Sequence, residues 1–534
     1  MTAATSGAGP SEPPTVRGSI ARVLDAALAT NPDGEALVGH SGRLSYRELD
    51  VAADRAARSL YGLGLRPGDR IAVSLPNDVD IVAAFHGAMR LGATWVGLNR
   101  GLAAPEKQFI LDDSDPTLVL ADSSVAQQLR TRGGDASRRH VAIIEPGDVV
   151  HCRGAFAARA DEVDLAPCER RLDPLTAPAV FAYTSGTTGR PKAVVHTQHN
   201  LLLPAAVLVA ERGYGPSLRK GDCLPFTIPN LLVLTTLLTA QAGGTCIVMD
   251  RLDASGVASW IRDERVTTWN GVPALLSSLV SDESVTPEDL ATLDEVWSGG
   301  DSCPEPIRRA FADKFGIEPT ATYGLTEAPT IVSIDDLGRP GAHAGSSGRP
   351  LPHLAVTIRD DADEVVPTGV VGEVCVGPSR CGTWGGQYTP MLGYHGHRDA
   401  TVAQLRGGVL RTGDLGSIDA AGHLTIQSRR TAVIIRGGAN VYPAEVERVI
   451  LDVPGVAGCA VFGVADQRLG QRVAAAVEVD GDPSTMRQAI LDACSTELSR
   501  DKVPEHVVVV DRLPRNPMGK VSRSDLPLLL EQRS

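Results

Sequence analysis

Short apolar runs alternate with longer amphipathic segments along the first two-thirds of the chain. The apolar runs, which have the composition of buried strands, lie at residues 70–78, 117–122, 140–145, 245–249, 267–271 and 295–298. Residues 81–93 instead have the spacing of a helix, and Gly92 is placed to end it. Strands that alternate with helices predict βαβ units and a largely parallel sheet.

The N-terminal part of the chain predicts a tail followed by a helix. Residues 1–16 have neither the basic stretch nor the apolar stretch of a secretory signal, and their composition predicts a disordered tail. From about Ser19 the sequence predicts one amphipathic helix, whose apolar face would carry Ile20, Val23, Leu24, Ala27 and Leu28. The longest strongly apolar stretch, around residues 231–238, is far shorter than the roughly 18 to 20 residues of a membrane span. We therefore expect a cytoplasmic protein without a membrane span.

The pattern changes twice in the second half of the chain. Residues 354–376 form short strand-like runs separated by turns, which predicts a β-rich lobe. From about residue 433 a new mixture of helical and strand-like segments begins. The expected fold class is therefore α/β and α+β, with a large N-terminal domain of βαβ-rich sheets and the lobe over residues 17–430, and a small C-terminal α+β domain over residues 433–534.

Composition and charge narrow the range of partners. The chain has 534 residues, of which 43% are hydrophobic and 22% charged, as in ordinary soluble globular proteins. The formal net charge is −13 and aromatic residues make up only 4%, which disfavours nucleic acid and anionic membranes as partners. The nine cysteines include no Cys-x-x-Cys pair, which predicts mostly free thiols rather than disulfides or a zinc site.

The segment Thr184–Lys192 has the composition of an anion-binding loop. A strand is predicted before it, and a helix is predicted from about Thr197. Its glycines allow backbone N–H groups to face a phosphate, its hydroxyl groups can donate hydrogen bonds, and its lysine adds positive charge. Pro191 before the lysine and Ala193 after it exclude the Walker A pattern. A flexible polar turn is the structural alternative.

Three further signals are weak when each is taken alone. In ATYGLTEA, Tyr323 offers a flat face for a ring, Gly324 permits a close backbone approach, and Glu327 is a plausible ligand for a metal ion. In RTGDLGSID, the sequence predicts that Asp414 lies in a turn between glycines, where one carboxylate suits the two hydroxyls of a ribose or serves an ordinary Asx turn. Lys520, in NPMGK, would by itself be a solvated lysine on a loop.

Taken together, the four segments closely resemble the adenylate-forming superfamily of acyl-CoA synthetases, adenylation domains and luciferases. The resemblance runs from about Ser19 to Leu526 and includes GDRIAVSLPN, NGVPALL, WSGG, GGANVYPAEVE and AVFGVADQRLGQ. It implies a reaction in which a carboxylic acid and ATP give an acyl-adenylate and pyrophosphate, after which a thiol displaces AMP. It also implies that the C-terminal domain is a mobile lid that rotates between the two half-reactions.

The resemblance implies a role for individual residues. Lys520 would place its ammonium between the acyl carboxylate and the α-phosphate, Thr326 would lie near that phosphate, and Glu327 would hold Mg²⁺. The residues implied to contact ATP or CoA are Thr184, Ser185, Gly186, Thr187, Thr188, Gly189 and Lys192 at the phosphates, Gly299, Gly300, Thr322, Tyr323 and Gly324 around the adenine and the adenylate, Asp414 and Arg429 at the ribose, and Gly438 beside the pantetheine arm. Asp301, next to this pocket, is either a nucleotide contact or a solvated turn residue.

The sequence departs from the family pattern at the hinge and at the acyl pocket. Ala432 stands where the hinge usually has an Asp or Lys, and Ala193 replaces a glycine after the loop lysine. Ile228 stands where the family usually has a pocket histidine. The acyl pocket is expected to involve Phe226, Ile228, Asn230, Ser298 and Leu325.

The stretch after Phe226 has no carboxylate to pair with an α-ammonium group. A buried ammonium without a partner is costly, so an aliphatic or aryl acid is favoured over an α-amino acid. Asn230 is placed either to read a polar group on the acid or to cap a helix.

Three functions remain open at the level of sequence. The leading hypothesis is an acyl-CoA synthetase that uses ATP, Mg²⁺ and CoA. The second is a stand-alone adenylation enzyme that loads the pantetheine of an acyl carrier protein. The third is a nucleotide-binding relative without turnover, which the altered hinge favours and the retained Lys520 disfavours.

Overall fold

The computed structural model describes residues 18–130, 140–157, 173–184, 191–300, 303–336, 345–436, 439–479, 482–516 and 520–531. The predicted tail, residues 1–16, lies outside the described residues.

The strands of the described residues are given in chain order. They are β1 (Glu35–Gly39), β2 (Gly42–Ser45), β3 (Arg70–Ser74), β4 (Thr94–Gly97), β5 (Leu118–Ala121), β6 (His140–Ile143), β7 (Pro178–Thr184), β8 (Lys192–Thr197), β9 (Arg219–Asp222), β10 (Thr245–Val248), β11 (Thr268–Gly271), β12 (Glu295–Ser298), β13 (Thr320–Leu325), β14 (Thr330–Ile334), β15 (Arg349–Pro350), β16 (Leu354–Arg359), β17 (Gly372–Pro378), β18 (Gly393–Tyr394), β19 (Leu405–Arg406), β20 (Val409–Ile418), β21 (Leu424–Arg429), β22 (Ile434–Arg436), β23 (Ala439–Val441), β24 (Val456–Asp466), β25 (Gly470–Val479) and β26 (His506–Val510).

Helices connect these strands. The α-helices span Asp25–Thr30, Tyr46–Gly62, Val79–Leu91, Ala104–Ser114, Ser123–Arg130, Gln198–Arg212, Pro229–Leu231, Leu238–Ala242, Ala254–Asp263, Pro273–Ser281, Glu305–Phe315, Arg398–Gln404, Pro443–Leu451, Pro483–Glu497 and Leu526–Glu531. A π-helical segment, Leu232–Leu237, joins two of them, and short 3₁₀ turns lie at Ile20–Arg22, Gly154–Phe156, Pro287–Leu290 and Arg430–Ala432. Within the described residues, every helix is too short or too polar to span a lipid bilayer.

Two large sheets form the N-terminal part of the molecule. One has nine strands in the order β15-β14-β13-β12-β11-β9-β10-β1-β2, and the other has seven in the order β18-β8-β7-β4-β3-β5-β6. In the first sheet β13, β12, β11, β9, β10 and β1 pair in parallel, and the antiparallel strands β14, β15 and β2 lie at its two edges. In the second, β7, β4, β3, β5 and β6 pair in parallel, and the antiparallel strands β8 and β18 lie at one edge only. The predicted βαβ organisation is confirmed, as is the helix that ends at Gly92, whose φ of +77° is readily adopted by glycine.

The amphipathic helix predicted near the N terminus is interrupted. A 3₁₀ turn, Ile20–Arg22, precedes a six-residue α-helix, Asp25–Thr30, and Leu24 lies between them. The predicted apolar face is nevertheless buried, since Ile20 and Leu24 have almost no exposed surface. Burial of apolar side chains follows the sequence pattern here, whereas continuity of the helix does not.

Two smaller sheets follow along the chain. The β-rich lobe is confirmed as a five-stranded sheet in which β16-β17-β20-β19 are in order and β21 also pairs with β20. The C-terminal sheet has the order β23-β22-β25-β24, with β26 parallel to β25. Helices Pro443–Leu451 and Pro483–Glu497 pack on it through a separate apolar core that includes Val446, Ile490 and Val507.

Candidate active site

Asp414 is buried and lies at the centre of a hydrogen-bonded cluster. The Tyr323 hydroxyl donates to Asp414 Oδ2 at 2.6 Å, and Arg429 Nε lies 3.0 Å from Asp414 Oδ1. Burial raises the pKa of Asp414, while Arg429, Tyr323 and Lys520 oppose the rise. Burial and the adjacent Asp414 also raise the pKa of Tyr323, so its hydroxyl remains a donor.

The local structure around Asp414 differs from the sequence expectation. Asp414 was expected in a turn, but it lies inside the ten-residue strand β20. Its cross-strand partner is Arg429 on β21, so strand register brings the two side chains together. The glycine before it, Gly413, has a φ of +73°, which explains why a glycine-flanked sequence continues as a strand with a local irregularity.

Lys520 lies beside Gly300 at the carboxyl end of β12. A Cβ placed on Gly300 would be 3.4 Å from Lys520 Cε and 3.9 Å from Lys520 Nζ. The φ of Gly300 is +84°, a left-handed conformation that glycine adopts without strain. Lys520, a residue of the C-terminal domain, therefore lies beside the carboxyl end of a strand of the N-terminal domain.

The backbone of Lys520 forms two hydrogen bonds with Asn516. Its backbone N–H donates to Asn516 Oδ1 at 3.1 Å, and its carbonyl accepts from the Asn516 N–H at 2.8 Å. These two hydrogen bonds hold the backbone of Lys520 against Asn516.

Two chain segments meet where Gly299 faces Thr322. A Cβ on Gly299 would collide with Thr322 Oγ1, and the same hydroxyl donates to the Ser298 carbonyl at 3.1 Å. Thr322 and Tyr323 lie on β13, which is parallel to β12. Gly299, Gly300, Thr322 and Tyr323 thus surround the carboxyl ends of neighbouring strands, where α/β proteins commonly bind nucleotides.

The glycine-rich loop connects two antiparallel strands. Thr184 ends β7, Lys192 begins β8, and the two residues are paired across the ladder. A strand therefore follows the loop before the predicted helix, which begins at Gln198 with Thr197 as its N-cap. Ser185, Gly186, Thr187, Thr188 and Gly189, together with Asp301 and Gly438, lie outside the described residues.

Tyr394 joins the site although the sequence did not single it out. Its hydroxyl donates to Glu327 Oε1 at 2.8 Å, and Lys192 Nζ lies 5.5 Å from its ring centroid. Burial and the neighbouring Glu327 carboxylate raise the pKa of Tyr394 well above its ordinary value. Tyr394 is distant in sequence from both partners, and antiparallel pairing of β18 with β8 brings it to them.

The residues expected at the acyl pocket fall into two groups. Phe226, Ser298 and Leu325 are buried, and Phe226 packs in the main hydrophobic core with no exposed surface. Ile228 and Asn230 are half-buried at the start of the helix Pro229–Leu231, whose N-cap is Ile228 and not Asn230. Phe226 thus supports the turn, and Ile228 and Asn230 have side-chain surface left to face a substrate.

Two family models match the sequence. The model of the AMP-binding enzyme family matches residues 24–382, and that of the AMP-binding enzyme C-terminal domain matches residues 445–520.

Known relatives align with nearly the whole chain. The long-chain-fatty-acid–CoA ligase FadD13 of Mycobacterium tuberculosis is 35% identical over 91% of this chain and 92% of its own length. A feruloyl-CoA synthase of an Amycolatopsis species is 32% identical, with 92% and 94% covered. ScoC of Streptomyces coeruleorubidus, a fatty acid–acyl-carrier-protein ligase, is 30% identical, with 93% of each chain covered.

The fold is also found among solved structures. ATP-bound MatB from Rhodopseudomonas palustris has a TM-score of 0.83 at 27% identity, with 95% of this chain and 98% of that chain covered. The matched family model spans more than half of the chain, and the relatives align over more than nine-tenths of their own length. The chain therefore belongs to the AMP-binding enzyme family, within the adenylate-forming superfamily.

Proposed function

We propose that this protein is an AMP-forming acyl-CoA synthetase. In the first half-reaction, a carboxylate oxygen of the acid attacks the α-phosphorus of ATP, and pyrophosphate leaves. In the second, the sulfur of the CoA thiolate attacks the acyl carbon, and AMP leaves. Activation is needed because a free carboxylate is a poor acyl donor, whereas the mixed anhydride has a good leaving group.

The position of Lys520 carries this proposal. Its side chain lies against Gly300 and interacts electrostatically with Asp414, so a cation from the C-terminal domain reaches a buried acid–phenol pair of the N-terminal domain. A protein that only bound nucleotide would not need a charge from a separate domain at this position. Negative charge grows on the α-phosphate oxygens during attack, and a positioned ammonium stabilises it.

The Asp414 cluster is suited to the ribose of ATP. A carboxylate is an acceptor for two neighbouring hydroxyls, and Tyr323 and Arg429 hold it in one orientation. Thr184 and Lys192, at the two ends of the glycine-rich loop, are placed for the terminal phosphates. In this role Lys192 supplies charge, and the loop supplies backbone and hydroxyl donors.

Glu327 fits a Mg²⁺ ion that arrives with ATP. Its Oε1 atom accepts from Tyr394, and none of the described residues donates a hydrogen bond to Oε2. Among the described residues, no group of three or more His, Cys, Asp or Glu side chains is arranged to hold a metal by itself. One carboxylate together with phosphate oxygens is a common way for proteins to bind Mg²⁺.

An aliphatic or aryl acid fits the pocket best. Ile228 and Asn230 are the half-buried residues of the turn that follows Phe226, and that turn contains no carboxylate for an ammonium group. FadD13 is named for a long-chain fatty acid and the Amycolatopsis enzyme for an aryl acid, and both are CoA-linked.

A carrier-protein pantetheine is the alternative acceptor. ScoC, which covers 93% of this chain, is named for transfer to an acyl carrier protein. Both acceptors present the same thiol on the same arm, so the first half-reaction is common to them.

The test is acid-dependent release of pyrophosphate from ATP across fatty, aryl and α-amino acids, followed by addition of CoA or a pantetheinylated carrier protein. We expect pyrophosphate release with a fatty or aryl acid and a CoA thioester as the product. If the adenylate reacts only with the carrier protein, the acceptor is the carrier protein and not CoA. ATP binding without any acid-dependent pyrophosphate release would contradict carboxylate activation.

A further inference from the structure

Thr326 and Glu327 are held from one side by two side chains of the same sheet edge. This edge, which we call the β8–β18 edge, consists of β8 and its antiparallel partner β18. The His196 imidazole on β8 donates from Nε2 to the Thr326 carbonyl at 2.6 Å. The Tyr394 hydroxyl on β18 donates to the Glu327 carboxylate at 2.8 Å. One contact fixes the main chain and the other fixes the adjacent side chain.

The same edge also carries the lysine of the glycine-rich loop. Lys192 is the first residue of β8, four positions before His196, and its ammonium faces the ring of Tyr394. The ladder pairs Val194 with Tyr394, so the three side chains belong to one hydrogen-bonded strand pair. A strand pair is stiff, and it therefore sets the separation between Lys192 and Glu327.

Burial makes His196 a neutral hydrogen-bond donor. The residue is 1% exposed, and burial lowers its pKa to about 4, so the imidazole is neutral near neutral pH. A carbonyl can only accept, so the proton of the neutral ring is on Nε2. His196 is thus a donor without charge, and it does not compete for the phosphates.

We propose that the β8–β18 edge is a positioning device for the adenylation step, in which His196 and Tyr394 fix Thr326 and Glu327 relative to Lys192. The inference rests on the proposed function, because it assigns two further residues to the same site. His196 and Tyr394 are positioning residues, since they contact Thr326 and Glu327 and not the reacting atoms. Without them, Glu327 would have to be ordered when ATP and Mg²⁺ bind, which weakens binding.

The experiment compares His196→Leu, His196→Gln and Tyr394→Phe in the full-length protein. ATP affinity is measured by calorimetry with and without Mg²⁺, and KM for ATP and kcat are measured by pyrophosphate release. We expect His196→Leu and Tyr394→Phe to weaken ATP binding about three- to tenfold when Mg²⁺ is present, the effect of losing one hydrogen bond. His196→Gln should recover part of the loss because its amide also donates.

Two control variants remove comparable buried hydrogen bonds away from the site, so that a loss of protein stability can be separated from a loss of ATP affinity. His199 is 2% exposed, and its Nε2 lies 2.6 Å from the Gln387 carbonyl, so His199→Leu removes an equivalent contact outside the site. The Tyr46 hydroxyl donates to the Gly244 carbonyl at 2.6 Å, so Tyr46→Phe removes a buried tyrosine bond elsewhere. Both should lower the unfolding temperature and leave KM for ATP unchanged.

The proposal is overturned if His196→Leu and His199→Leu lower the unfolding temperature alike and neither changes Mg²⁺-dependent ATP affinity. If His196→Leu does not fold, the comparison of His196→Gln and Tyr394→Phe with Tyr46→Phe decides the question. A wild-type protein that binds ATP with Mg²⁺ but releases no pyrophosphate would reject the proposed function, and the calorimetric comparison would still test the positioning role.

Discussion

Lys520 shows how a single side chain depends on both domains. Its charge is useful only where it meets Gly300 and Asp414, and both belong to the part of the chain before the Arg430–Ala432 turn. The left-handed conformation of Gly300 favours glycine, and a Cβ placed on it would be in ordinary van der Waals contact with Lys520 Cε.

We expect Lys520→Ala to reduce acid-dependent pyrophosphate release by about 10²- to 10³-fold, because one positioned charge at the transition state is lost. Thioester formation from a supplied acyl-adenylate and CoA should remain close to wild type. The two rates are measured separately in the same preparation.

Lys502 provides a matched control for this change. It is another lysine of the C-terminal domain, and its ammonium lies 2.6 Å from the Glu445 carboxylate. Lys502→Ala should leave both rates unchanged. An equal loss of both half-reactions in Lys520→Ala would argue against a role confined to adenylation.

At the scale of elements, β13 organises the candidate site. It carries Thr322 and Tyr323, and the residues that follow it directly are Thr326 and Glu327. Its pairing with β14 shifts register between Tyr323 and Gly324, and Thr330 on β14 has a φ of +71°. Because of this irregularity, the side chain of Tyr323 faces Asp414 while the chain continues to Glu327.

We expect Gly324→Ala to disrupt this hairpin. A Cβ at residue 324 would be 2.7 Å from the Thr330 carbonyl carbon and even nearer to its oxygen, so β13 and β14 would have to separate. The unfolding temperature and the affinity for ATP should both fall, as measured by calorimetry. Gly215→Ala is the control, since nothing lies within 4 Å of a Cβ placed there, and its values should match wild type. Unchanged ATP affinity in Gly324→Ala would show that the site does not depend on this close approach.

At the scale of the whole molecule, three buried histidines make folding sensitive to acid. Burial lowers the pKa of His86 to about 3, that of His196 to about 4 and that of His353 to about 3, below an ordinary value of 6.5. These side chains are neutral in the folded protein, whereas the unfolded chain binds protons on them below pH 6.5.

We expect stability to fall as the pH drops below about 6.5, because unfolding then takes up protons. Each histidine contributes about 1.4 kcal/mol per pH unit until its folded pKa is reached. Urea unfolding midpoints between pH 7.5 and pH 5 measure the slope. His353→Leu should reduce the histidine part of that slope by about a third, and an unchanged slope would contradict the assignment.

Much of the fold followed from the spacing of apolar residues. The sequence shows the strands that alternate with helices in residues 70–145, the lobe from residue 354 and the change of pattern near residue 433. These features are visible because a buried face requires apolar residues at a period of two in a strand and of about 3.6 in a helix. The strand β8 was not predicted, because the predicted loop ends at Lys192 and the predicted helix begins at about Thr197, with no element assigned between them.

Buried polar contacts could not be predicted in this way. Lys220 and Asp222 are of residue types that are mostly exposed, yet both are fully buried and lie 3.3 Å apart, beside Trp297. The burial of a charged residue depends on which elements pack against it, and local sequence carries no record of that.

The sequence by itself determined the family, the order of the elements and the chemical types of the residues at the site, because these depend on residue identity and spacing along the chain. Only the tertiary structure decided which of these residues meet. Strand register places Asp414 opposite Arg429. The edge strand β18 brings Tyr394 to Glu327, and packing of the two domains brings Lys520 to Gly300. Each of these contacts joins parts of the chain whose distance is fixed by long-range packing, and no local pattern encodes that distance.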